Sequence, residues 1–113
     1  MAKLVLIIKG KAQPGKRDEV RQLFEQHLAS RANSNDAQEV VVWSADDNDP
    51  DAFHLFELYS DRDAFQANAE APWFKEYMVK VGPLIAGRPE LIMATPHWSK
   101  GVKGDSSSKG RSV

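Results

Sequence analysis

Glu57, Tyr59, Asn68, Trp73 and Tyr77 are the residues of this chain whose types and spacing could do chemistry. Glu57 lies in AFHLFELYS (52–60), on the same side of an alternating run as Phe53, Leu55 and Tyr59. A carboxylate among such neighbours must be paired or hold its proton more tightly than usual. It is therefore either half of a structural ion pair or a proton acceptor. Asn68 lies in AFQANAEAPWFKEY (64–77), surrounded by Ala64, Phe65, Ala67, Ala71, Trp73, Phe74 and Tyr77. Left unpaired there, its amide would cost on the order of 1–3 kcal/mol, so it should hydrogen-bond a ligand oxygen or an ordered water. An amide is no general base at neutral pH, which leaves any proton to Glu57 or Tyr59. Taken singly, Trp73 and Tyr77 read as core. Taken with Glu57, Tyr59 and Asn68, they outline a mostly apolar pocket with a few converging polar groups, the usual form of a small-ligand site.

Other chemistries lack their residues. The chain has no cysteine, hence no disulfide framework, thiolate metal site or Cys nucleophile. No phosphate loop, nucleotide fingerprint, GxSxG or HExxH occurs. His27, His54 and His97 fall on different elements at no metal-binding spacing, so no metal site is expected. The formal charge of −1 is uneven: residues 99–113 hold Lys100, Lys103, Lys109 and Arg111 against Asp105. Of 15 basic and 16 acidic residues, that leaves 11 against 15 in residues 1–98, a net of −4. An acidic folded part argues against a nucleic-acid partner. The Gly/Ser/Lys-rich stretch 99–113 reads as a disordered basic tail. MAKLVLIIKG is too short and too lightly charged for a signal peptide, and no apolar run reaches the roughly 18–20 residues of a membrane span. A single cytoplasmic domain over residues 1–98 is the expectation.

The elements that must position these residues are legible as periodicities. LVLII within Lys3–Gly10 reads as a buried strand, and the turn QPGK opens a helix. Val20, Leu23, Phe24, His27 and Leu28 then form one helical face over Arg17–Arg31. Gln38–Ala45 and Ala52–Ser60 are strands separated by the acidic loop DDNDPD. Ser60 or Asp61 can cap a helix over Asp61–Ala71, and Pro72 can start another, PWFKEYMVKV, which Gly82 and Pro83 end. Glu90–Thr95 is the last strand. The order β-α-β-β-α-β predicts an α+β, ferredoxin-like antiparallel sheet with helices on one face. Yet both faces of these strands are apolar: Val5 and Ile7 lie opposite Leu4, Leu6 and Ile8, and Phe56 and Leu58 lie opposite Phe53 and Leu55. Helices can cover one face only. The other predicts a homodimer in which two sheets close into a barrel.

Three stretches, KGKAQPGKRDEVRQLF, FHLFELYSDRDAFQANAEAPWFKEY and PLIAGRPELIM, resemble the antibiotic biosynthesis monooxygenase family, including its quinol monooxygenase-like members. The likeness covers about residues 3–95. It rests on a Pro-Gly-Lys turn into the first helix and on a third strand of pattern Phe-x-x-x-Glu-x-aromatic running into a helix. The resemblance implies a dimeric ferredoxin-like barrel and cofactor-independent oxygenation of electron-rich phenols or hydroquinones with O2. No metal or flavin is required by that scheme, because a deprotonated aromatic can itself pass an electron to O2. Where many members carry two helix histidines, this chain has Asn68 and Trp73; where they carry a strand Trp it has Tyr59. The Asn of some polyketide-oxidising members corresponds to Leu55. Haem-degrading members need an Asn, a Trp and a His where this chain has Ile8, Asn68 and Met78, which argues against haem degradation.

The sequence therefore predicts a small aromatic substrate oriented by Asn68, with Glu57 as proton acceptor. Tyr59, Phe65, Trp73 and Tyr77 would be aromatic walls, and Leu55 and Ile8 would be lining positions. A non-catalytic small-ligand-binding or stress-response module on the same barrel is the alternative. An isomerase-like role on small carbonyl compounds is a third.

Overall fold

In the computed structural model, which describes residues 2–102, the first apolar run forms β1 (Leu4–Lys11). Pro14 and Gly15 turn the chain, with Gly15 at φ 77°, a conformation that suits glycine. The next helix starts as α1 (Arg17–Phe24), passes through a π-helical turn at Glu25–Ala29, and ends as α2 (Ser30–Asn33). The single helix expected over Arg17–Arg31 is thus interrupted: a π turn holds one residue more than an α turn and rotates everything after it. Strands β2 (Gln38–Ala45) and β3 (Ala52–Tyr59) follow, then α3 (Arg62–Ala69), α4 (Pro72–Val81), a 3₁₀ turn at Gly82–Leu84 and β4 (Glu90–Ala94). Asp61 caps α3, its Oδ1 accepting the Ala64 N–H at 2.8 Å, and Pro72 occupies the first turn of α4.

The strands form one antiparallel sheet in the order β2-β3-β1-β4. This is the ferredoxin-like α+β arrangement, and the sheet of a single chain is open rather than closed. The acidic loop between β2 and β3 is tied to the start of α1. Arg17 Nη1 donates to the carbonyls of Asp46, Asp49 and Ala52 at 3.0, 2.8 and 3.1 Å, and the Gly15 N–H donates to Asp51 Oδ1 at 3.0 Å.

The helices cover the side of the sheet that carries Phe53, Leu55, Glu57 and Tyr59. Its core is Ala12, Val20, Phe24, Phe53, Leu55, Tyr77 and Val81. Phe53 stacks on Trp43, with ring centroids 5.4 Å apart, and packs against Gly10 on β1. A Cβ at Gly10 would lie 2.5 Å from Phe53 Cζ, so glycine is needed there for the ring to lie flat on the strand. On the opposite side Val42 and Phe56 are exposed, while Val5 and Leu58 are buried. Among the described residues no helix is long and apolar enough to cross a membrane. The stretch 103–113, most of the expected basic tail, lies outside the described residues.

Candidate active site

Four polar side chains meet at the Tyr59 end of β3. The Tyr59 hydroxyl donates to Glu57 Oε1 at 2.7 Å. Gln38 Nε2 lies 3.1 Å from both Glu57 Oε1 and Tyr59 Oη, one N–H for each. Asn68 Nδ2 donates to Tyr59 Oη at 3.1 Å. The phenol thus accepts from two amides and donates to a carboxylate. Glu57 is 8% exposed and Tyr59 1%. Burial raises the Glu57 carboxyl above its ordinary range, opposed by the hydrogen bonds from Tyr59 and Gln38. Burial, reinforced by the neighbouring Glu57 carboxylate, raises the Tyr59 phenol as well. Glu57 has neutral partners, so the ion-pair reading does not describe it. Its Oε2 accepts no hydrogen bond from the described residues.

These groups border a cavity of about 50 Å³ with apolar walls from Leu6, Ile8, Val41, Phe24, Leu28, Phe65, Trp73 and Phe74. Phe65 meets Tyr59 edge-on at 5.7 Å. A wider cleft of about 230 Å³, lined by Asn35, Ala37, Ala64 and Ala67, shares Asn68 and Trp73 with the cavity. Arg31 also borders the cavity, its guanidinium 4.5 Å from the Trp73 ring centroid. The Trp73 indole N–H is buried without a partner among the described residues, a cost of about 1–3 kcal/mol. Trp43 Nε1 and Glu39 Oε1 likewise have no partner among the described residues, but neither residue borders the cavity.

Six of the eight residues singled out from the sequence, Ile8, Glu57, Tyr59, Phe65, Asn68 and Trp73, meet at this cavity. Leu55 and Tyr77 do not line it: both pack in the core cluster further along the sheet. The Tyr77 phenol is pushed up to about 12, first by burial and then by Glu57. Asn68 uses one of its two amide N–H groups on Tyr59, which makes it a support of the phenol. Of the histidines, His54 pairs with Asp46 at 2.7 Å on the uncovered side of the sheet. Among the described residues no three His, Cys, Asp or Glu side chains converge as metal ligands.

The sequence profile of the antibiotic biosynthesis monooxygenases matches residues 4–80. The chain belongs to the antibiotic biosynthesis monooxygenase family. A crystal structure from Chloroflexus aurantiacus, named after that family, is 25% identical and covers 89% of this chain and 99% of its own, with TM-score 0.77. One from Caulobacter crescentus, also named after it, is 21% identical over 85% of this chain and 91% of its own, with TM-score 0.80. One from Nitrosomonas europaea reaches TM-score 0.78 at 15% identity, covering 84% and 90%. The last two likenesses speak for the fold alone. No protein of curated function matches the sequence.

Two residues of this family member's site escape a reading by periodicity. Strict alternation puts Gln38 on the uncovered side of β2, with Val40 and Val42. The register shift between Gln38 and Val40 lets Gln38 pair with Tyr59 and Val41 with Glu57, which turns Gln38 to the helix side. Arg31 lies just beyond the π turn, seven residues after Phe24 and three after Leu28, both cavity-lining. That spacing was the available signal.

Proposed function

We propose that the chain is a cofactor-independent monooxygenase that oxidises a quinol-like, one-ring aromatic with O2. The observation that carries this is the buried Glu57 carboxylate, held on Oε1 by Tyr59 and Gln38 with Oε2 unused, at the wall of an apolar cavity. A substrate hydroxyl beside Oε2 gives its proton to Glu57, whose raised carboxyl narrows the gap to a phenol. The phenolate passes one electron to O2, and the resulting radical pair combines at a ring carbon. Loss of water then leaves one oxygen atom on the ring. A hydroquinone and O2 thus give a hydroxyquinone and one water, with the electrons drawn from the ring. Gln38 and Asn68 hold Tyr59, and Tyr59 holds Glu57, so the acceptor does not reorganise during the step. The cavity and its cleft together fall just short of the roughly 300 Å³ at the lower end of small-molecule sites, which favours one ring over several.

The working unit is a homodimer joined through the uncovered side of the sheet. Exposed Val42 and Phe56 there support this reading. Light scattering should give twice the mass of one chain; a monomer at micromolar concentration would remove the dimer. Oxygen uptake by chelator-treated protein across monocyclic hydroquinones, with autoxidation subtracted, tests the chemistry. Protein-dependent uptake supports it. Saturable binding without uptake supports the second reading, a non-catalytic ligand-binding module. Asn68 and Trp73, standing where many relatives have histidine, favour that second reading.

A further inference from the structure

The cavity is polar in opposite senses at two places. Glu57 offers an acceptor, Oε2, that meets no donor among the described residues. Arg31, beside Trp73, offers guanidinium donors with no carboxylate or carbonyl acceptor among the described residues. Arg17 and Arg21 differ: the first donates to three loop carbonyls, the second to Asp18 and Glu25. Arg31 is exposed and lies over the Trp73 ring, which places its charge at the cavity mouth. A guanidinium stacked on an aromatic face keeps its in-plane N–H groups for a carboxylate.

We infer that the ligand is a hydroxylated one-ring aromatic carboxylate, bound with its carboxylate on Arg31 at the mouth and its hydroxyl toward Glu57. This rests on the proposed function for the hydroxyl end only. A neutral hydroquinone would satisfy Glu57 and leave the Arg31 donors to water. An anionic substituent matches both ends at once.

The test is anaerobic calorimetric titration with 2,5-dihydroxybenzoate and its methyl ester, which share a ring and differ in charge. Wild-type protein should bind the acid about two- to fivefold tighter than the ester, the modest factor of an exposed ion pair, and added salt should shrink the difference. Arg31→Gln should bring the acid down to the ester's affinity while leaving the ester unchanged, which also serves as the folding control. Arg31→Lys should restore part of the preference. Equal binding of acid and ester by wild type, no binding of the acid, or a preference that survives Arg31→Gln overturns the inference. Oxygen need not be consumed, so the two claims separate. Acid bound through Arg31 without uptake sinks the oxidation alone. Uptake on neutral hydroquinones together with equal binding of acid and ester sinks the anion site alone.

Discussion

Phe53 and Glu57 stand four residues apart on the same strand and the same face, yet one sits in solid packing and the other beside a cavity. At the Phe53 end the ring is stacked on Trp43, pressed onto Gly10 and enclosed with Val20, Tyr77 and Val81. At the Glu57 end the cover comes from α3, from the start of α4 and from the π turn with its following residues, and it leaves space. Two local irregularities separate the ends. The bulge at Glu39 turns Gln38 inward to meet Glu57 and Tyr59, and the π turn at Glu25–Ala29 displaces the helix beside Leu28 and Arg31. The regular half of the face supplies stability, and the irregular half supplies a place for chemistry.

Substitutions at the two ends should therefore fail in different ways. Phe53→Ala should cost about 3–5 kcal/mol in denaturant unfolding, the usual range for a deleted core aromatic. A loss below 1 kcal/mol would mean that this end is not the packed one. Asn68→Ala should lower the oxygenation rate about tenfold while costing no more than about 1.5 kcal/mol, because Tyr59 keeps Glu57 and Gln38 as partners. A stability loss with an unchanged rate would reverse that assignment. The smallest effect is a pH dependence. The Glu57 carboxyl is raised in the folded state, so its contribution to stability is fully present below the ordinary value of 4.5 and is lost as pH rises through the folded value. Thermal melts should show wild type losing ground to Glu57→Gln as pH rises above 4.5; a constant difference would mean that the carboxyl is not perturbed.

How much of this was legible follows from what each signal encodes. Alternation in Ala52–Ser60 placed Phe53, Leu55, Glu57 and Tyr59 on one face, and the strands and helices came from equally regular patterns. Alternation says nothing about depth along a strand, which is why Leu55 and Tyr77 read as cavity walls and are core. Nor can it foresee a bulge, which is what turns Gln38, the second donor to Glu57, to the helix side. The helix that breaks at Glu25 has no proline or glycine to announce the π turn. The loop DDNDPD read as exposed, while its carbonyls are held by Arg17.

The most direct test of the central claim is the oxygen uptake of Glu57→Gln against wild type on a monocyclic quinol substrate, with matched folding verified by circular dichroism. If Glu57 accepts the substrate proton, the rate should fall at least about a hundredfold, as removal of a general base does, with the fold intact. A folded Glu57→Gln protein that consumes oxygen at the wild-type rate would contradict the account.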